Sequence, residues 1–366
     1  MCANFYDRPQ FALRRPDGSI LTQSEPVAWD RWLPHVPTAA QHWLANQRTR
    51  NARERLESGA VWQCPIGHRL PDDFAEARTV TIALVGPPQT TKTTYLGQLI
   101  ADIVYRSSLA PLGIHCVLAD GESQELYNSR MARFLESRRA PRATERLGEN
   151  DTTRPLVVRM RIRDQRINLL FFDASGESMQ NTLDLAQDNP FLHALDAAIV
   201  FVTPRALALP PGLTPSGAES LGPREVAQVI SNLESVLASH RQYQGRHPSR
   251  DLPLALVLSK ADELTGLLNG RTFPSLAIEP GLLVSMQDKL DAQGDLPYEL
   301  LAKHGGIGII QAVFTLSDVR SVHAVSAMGC APDDTGLFPP AEPLNIAEPL
   351  LAVLHGLRII GDRRAD

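Results

Sequence analysis

IALVGPPQTTKTTYLGQLI, residues 82–100, decides the fold. Its first residues extend an apolar run that begins at Val80, and Tyr95, Leu96, Leu99 and Ile100 recur at helical spacing, so a buried strand passes through a short loop into an amphipathic helix. The loop carries Gly86, Lys92 and Thr93 at the spacing of a phosphate cradle, in which backbone N–H groups at a helix N-terminus wrap an anion. In such a cradle Lys92 reaches the β- and γ-phosphates of a nucleotide as a point charge, and the Thr93 hydroxyl is a ligand for magnesium. Gln89, Thr90, Thr91 and Thr94 complete the loop and the first helical turn. Thr91 departs from the pattern GxxxxGK[ST], which has its second glycine there; a side chain at that place either crowds the phosphates or tilts outward. The competing reading is an ordinary strand, loop and helix with a chance Lys–Thr pair. Residue usage counts against it, because only four of the 36 basic residues are lysines: Lys92, Lys260, Lys289 and Lys303.

Outward from this stretch, apolar runs of four to seven residues alternate with longer helical stretches from Thr79 onward. Strands are expected at 80–85, 156–162, 167–172, 197–202, 254–258 and 322–326, with helices near 92–106, 122–139, 224–240, 281–292 and 345–356. That alternation is the pattern of an α/β fold with a mostly parallel sheet covered on both faces, a three-layer arrangement. Insertions fall near 107–150, 204–223 and 265–315, and the Pro/Gly-rich stretches at 204–223 and 331–343 read as exposed loops. Residues 79–361 are thus expected to form one domain. Residues 1–78 read as a separate, irregular segment that holds all four tryptophans, Trp29, Trp32, Trp43 and Trp62.

Two further strand ends carry chemistry. INLLFF runs into DASGES, so Asp173 and Gly176 form a DxxG at a strand's C-terminal tip, where doubly wound folds bind ligands. Asp173 is expected to hold magnesium through a water, and the Gly176 N–H to contact a γ-phosphate. Glu177 follows, where a side chain can orient or deprotonate an attacking water while adding negative charge beside the phosphoryl group. Upstream, Thr152 and Thr153 are the choices for a threonine that closes over magnesium, with Thr153 preferred. LALVL runs into SKADEL, placing Ser259, Lys260 and Asp262 after another strand. A carboxylate at Asp262 accepts from two adjacent donors, which guanine offers as N1–H and N2–H₂ and adenine does not. Lys260 is placed to lay its stem over the base. In VSAMG, Ser326 and Ala327 are small enough to let backbone N–H groups approach the guanine O6. Read singly, SKAD is also an acceptable helix start.

Together GPPQTTKTT, DASG, SKAD and VSA resemble the first, third, fourth and fifth motifs of the P-loop GTPase class, in its translation-factor and Ras-like branch. The resemblance covers residues 79–360 and implies a P-loop NTPase fold, GTP or GDP as ligand, Mg²⁺ as cofactor, a protein partner or effector, and hydrolysis assisted by Lys92, Thr153, Gly176 and Glu177. CPIGHRLP, directly before the first strand, is similar to the arrangement in bacterial double-GTPase proteins, in which a small zinc ribbon precedes a divergent GTPase domain. That narrower likeness implies a role in bacterial conflict or signalling. Four zinc ligands cannot be assembled from Cys2, Cys64 and His68, so zinc is not expected.

Composition narrows the classes. An apolar share of 43% and a formal charge of −5 describe a globular chain with no electrostatic call for nucleic acid. No apolar run approaches the roughly 18 residues that span a bilayer, and the opening residues lack a signal-peptide pattern, so the expected compartment is the cytoplasm. ESQELYNSRMARFLESRRAPRATER reads as a helix packed through Tyr127, Met131, Phe134 and Leu135, and one of its arginines (Arg130, Arg133, Arg138, Arg139, Arg142 or Arg146) is a source of cis charge for a γ-phosphate.

Overall fold

The computed structural model of the chain describes residues 11–14, 20–24, 61–63, 77–139, 155–173, 192, 195–210, 222–243 and 252–361. Three short strands, β1 (Phe11–Arg14), β2 (Ile20–Ser24) and β3 (Val61–Gln63), pair antiparallel in the order β2-β1-β3. Cys2, Cys64, His68, Trp29, Trp32 and Trp43 lie outside the described residues.

Seven further strands make one sheet: β4 (Arg78–Val85), β5 (Ile114–Leu118), β6 (Leu156–Ile162), β7 (Gln165–Asp173), β8 (Ala197–Val202), β9 (Leu254–Leu258) and β10 (Arg320–Ala324). Their order is β10-β9-β8-β4-β7-β6-β5. The five strands from β10 to β7 are parallel, whereas β6 and β5 add an antiparallel edge. A two-residue turn explains the reversal, because Arg163 and Asp164 join β6 to β7 and so short a link closes only an antiparallel pair. Arg163 takes the left-handed conformation this turn demands, at φ 51°.

Alternation along each strand builds two cores. Val80, Ile82 and Leu84 of β4 enter one, and Ala83 and Val85 enter the other, as the period of two requires. The first face is covered by α1 (Lys92–Ile100), by α2 (Gly121–Tyr127) and α3 (Arg133–Ser137) joined through a π-helical turn (Asn128–Ala132), and by α7 (Glu348–Gly356). On the second face lie α4 (Pro223–Tyr243) and α6 (Ile307–Leu316). α5 (Met286–Lys303) packs along β10 and feeds both cores, Leu290 into the first and Leu300 into the second. Gly294 permits that approach, since a Cβ there would stand 3.1 Å from the Val322 carbonyl oxygen. The result is an α/β three-layer fold with a mostly parallel sheet.

Several elements differ from expectation. β5 and α6 were not foreseen; β10 begins at Arg320 and ends at Ala324 instead of spanning 322–326; and α5 occupies 286–303 where 281–292 was expected. The stretch 331–343 is a largely exposed loop, and no helix among the described residues is long and apolar enough to cross a membrane.

Candidate functional site

Because β4, β7, β8, β9 and β10 run parallel, their C-terminal ends, at Val85, Asp173, Val202, Leu258 and Ala324, lie at one edge of the sheet. The chain proceeds from β4 to β7 on one side and later to β8 on the other, so the loop after Val85 sits where the connections diverge, the place where such folds form a ligand crevice.

Gly86 opens that loop because nothing larger fits. A Cβ there would come within 2.7 Å of the Phe201 carbonyl oxygen and 3.1 Å of the Thr90 hydroxyl. Pro87 and Pro88 follow, and the chain then takes left-handed conformations at Gln89 (φ 61°) and Thr91 (φ 62°). Thr91 therefore adopts the backbone for which the motif uses glycine, and its hydroxyl donates to the Thr90 carbonyl at 2.6 Å. The first bond of the α1 ladder runs from the Tyr95 N–H to the Thr91 carbonyl, at 2.8 Å. The N–H groups of Lys92, Thr93 and Thr94 precede it and belong to the helix end that attracts anions.

Lys92 is buried, and its ammonium donates to the carbonyls of Gly86 (2.8 Å) and Pro87 (3.0 Å). Burial lowers its pKa, opposed by the charge of Asp173. The Thr93 hydroxyl donates to the Asp173 carboxylate at 2.5 Å. Burial raises the pKa of that carboxyl, against the pull of Lys92, the Thr93 bond and Arg130. A cation, a hydroxyl and a carboxylate thus meet at the tips of two adjacent strands.

Two strands away, the Ser259 N–H and hydroxyl both reach the Val202 carbonyl, at 2.8 and 3.1 Å. Lys260 is left-handed at φ 52° and opens a 3₁₀ helix (Ala261–Leu267) without a side-chain cap, so capping does not account for the SKAD stretch. Ala261 ties this loop to β10's end through its N–H and the Val325 carbonyl (3.0 Å). Asp262 receives the Ser326 hydroxyl on Oδ1 at 2.5 Å, and the Ser326 oxygen in turn accepts the Gly329 N–H at 2.9 Å. A carboxylate has about four acceptor positions, so Ser326 orients Asp262 without exhausting it. Ser326, expected to matter for its small size, contributes its hydroxyl as an orienting group; it stands two residues beyond the end of β10, and the sequence signal for that role is a hydroxyl side chain just past a strand's C-terminal end. Burial lowers the Lys260 pKa and raises that of Glu263, and Arg205 lies near enough to affect both.

The structure thus brings together Gly86, Gln89, Thr90, Thr91, Lys92, Thr93, Thr94 and Asp173 at one end, and Ser259, Lys260, Asp262, Ser326 and Ala327 at the other. Thr152, Thr153, Gly176 and Glu177 lie outside the described residues. Among the described residues no three or more His, Cys, Asp or Glu side chains cluster as metal ligands.

A family model described as Double-GTPase 2 matches residues 80–295, more than half of the chain. The chain belongs to the Double-GTPase 2 family. No curated protein matches it. The Double-GTPase 2 match starts in β4 and ends in α5, so it contains Lys92, Thr93, Asp173, Ser259, Lys260 and Asp262 and stops short of Ser326 and Ala327. The chain therefore carries a GTPase-type domain, and membership of the Double-GTPase 2 family implies binding of a guanine nucleotide.

Proposed function

We propose that this chain is a guanine-nucleotide switch that binds GTP with magnesium, hydrolyses it slowly, and alters its contacts with a protein partner in a bacterial conflict or signalling system. The observation that carries the reading is the shared sheet edge, with the Lys92 ammonium at one end and the Ser326-braced Asp262 carboxylate at the other. The first suits phosphates and the second suits the paired donors of guanine. Thr93 and Asp173 fit magnesium, because a neutral hydroxyl and a carboxylate in mutual contact are the hard oxygen donors this ion takes. Bound there, the ion would neutralise charge on the β- and γ-phosphates. Thr153 is assigned to the same ion, and Gly176 and Glu177 to the γ-phosphate and the attacking water. Residues 79–361 are assigned to the nucleotide-binding domain and 1–78 to a separate segment.

Titration calorimetry of the full chain with GTP, GDP and ATP, with and without magnesium, tests this reading. Magnesium-dependent GTP binding with far weaker ATP binding is expected. Tight ATP binding without GTP binding would overturn the base assignment. GTP binding with no phosphate release in the presence of partners would leave a non-hydrolysing assembly platform in place of the switch.

A further inference from the structure

The base end depends on how the chain is held just past β10. β10 is an edge strand, with β9 on one side only. The Val325 N–H donates to the Leu258 carbonyl (2.9 Å) and the Val325 carbonyl accepts from Ala261 (3.0 Å), so both backbone groups of Val325 point toward β9 and its loop. In extended chain successive residues turn their backbone groups to opposite sides, so those of Ala324 and Ser326 point to the open edge. Leu344 and Asn345 occupy that edge. Leu344 and Ser326 exchange two backbone bonds, at 2.8 and 3.1 Å, and Asn345 Nδ2 donates to the Ala324 carbonyl at 3.0 Å.

Asn345 also grips a second segment. Its Nδ2 donates to the Pro274 carbonyl at 2.9 Å, and its Oδ1 accepts the Ser275 hydroxyl at 2.5 Å. Residues 271–279 form neither helix nor strand, and they pass from the second core, which Phe273 enters, to the first, against which Leu276 and Ile278 pack. Gln293 Nε2 of α5 donates to the same Pro274 carbonyl at 3.3 Å, and the Leu276 N–H donates to Glu348 Oε1 at 3.3 Å. Asn345 is 6% exposed, so its amide has left water for these three bonds. Its backbone is left-handed at φ 54°, a conformation that asparagine tolerates better than most residues. A buried amide satisfied from two separate segments fixes the distance between them.

We propose that Asn345 is a positioning residue for guanine recognition, holding the chain past β10 where the Ser326 hydroxyl aims the Asp262 carboxylate at the base. The inference rests on the nucleotide-site reading above and extends it to a residue that does not touch the nucleotide. Asn345 acts through Ala324 and Ser326. With the amide gone, the Ala324 carbonyl and the Ser275 hydroxyl lose their common partner, and Asp262 keeps its charge while its aim widens. The Double-GTPase 2 match ends at residue 295, so both Asn345 and Ser326 belong to the part of the chain outside it.

The test titrates the full-length protein with GTP, GDP and inosine triphosphate, which keeps the guanine N1–H and lacks the N2–H₂. The native chain should favour GTP over inosine triphosphate by about 10-fold, the contribution of one hydrogen bond to a charged acceptor. Asn345→Gly deletes the amide while accepting the left-handed backbone, and it should cut that preference to about two-fold, with equal losses for GTP and GDP. Asn345→Asp keeps the acceptor for Ser275 but loses both donated bonds, and it should behave like the glycine variant. Ser275→Ala, at an exposed position, removes one bond and should reduce the preference by about half. Val313→Ala empties buried space in α6, so it should lower the urea midpoint and leave the preference native, which separates lost aim from lost stability. A native preference in Asn345→Gly, or in Ser275→Ala should the glycine variant fail to fold, would overturn the assignment of Asn345. A native chain that binds no guanine nucleotide, or does not distinguish GTP from inosine triphosphate, would instead overturn the site reading, and the Asn345 assignment with it.

Discussion

The two ends of the candidate site are built differently. The phosphate end is local: Gly86 to Thr94 are contiguous, and their shape is fixed by a glycine pressed against Phe201, two prolines and two left-handed residues. The base end is assembled from two loops 64 positions apart, joined by the Ala261–Val325 backbone bond and the Ser326–Asp262 side-chain bond. A contiguous loop keeps its geometry whatever happens two strands away. A pair of loops keeps its geometry only while β9 and β10 stay in register, as they do from the Arg320–Leu254 pairing to Ala324–Leu258.

The contrast can be broken at either end. The largest effect is expected for Lys92→Ala: two charge-assisted bonds to a phosphate are worth about 3 kcal/mol, so affinity for GTP and GDP alike should fall at least ~100-fold by calorimetry. Next is Asp262→Asn, where loss of the acceptor pair should weaken GTP by about 2 kcal/mol and narrow its advantage over xanthosine triphosphate, read by competition with a fluorescent nucleotide. Ser326→Ala leaves the carboxylate but removes its brace, and a roughly 3- to 10-fold loss of guanine nucleotides is expected, equal for di- and triphosphate, because the bond contributes about 1 kcal/mol. The smallest is Thr91→Gly. The left-handed backbone costs a non-glycine residue roughly 1–2 kcal/mol, partly offset by glycine's freer unfolded chain, so the urea midpoint should rise slightly and affinity change by less than about three-fold. A large affinity change in Thr91→Gly would mean that its side chain, not its backbone, is what the loop uses.

The same local-versus-assembled distinction governs what the sequence reveals. Strands 156–162, 197–202 and 254–258 are legible to the residue: the last two are buried throughout and read as continuous apolar runs, and the first begins with three apolar residues and then alternates, with Arg159 and Arg161 between Val158, Met160 and Ile162. β5 is an edge strand with His115 and Val117 exposed, and its five residues carry too weak an alternation to stand out. α6 is hidden by composition: GGIGIIQAVFTL is rich in glycine and β-branched residues, which favour turns and strands, and only burial against α4 makes it helical. α5 continues through Gly294 and Pro297, two residues that normally end a helix, because its packing on β10 overrides them. In the site, the loop from Gly86 to Thr94 is visible as a string of letters. Assigning the Ser326 hydroxyl its orienting role needs three dimensions, since it acts on a residue 64 positions away.

Lys92 has one more consequence. Lys92 is 7% exposed, and its ammonium has already exchanged water for the carbonyls of Gly86 and Pro87, so the work of drying it is done when the chain folds, not when a ligand arrives. A methionine of similar length would lie there more comfortably, and a Lys92→Met protein is expected to melt at a higher temperature while holding no phosphate. At this position durability and usefulness pull the chain in opposite directions, and the native residue sides with usefulness.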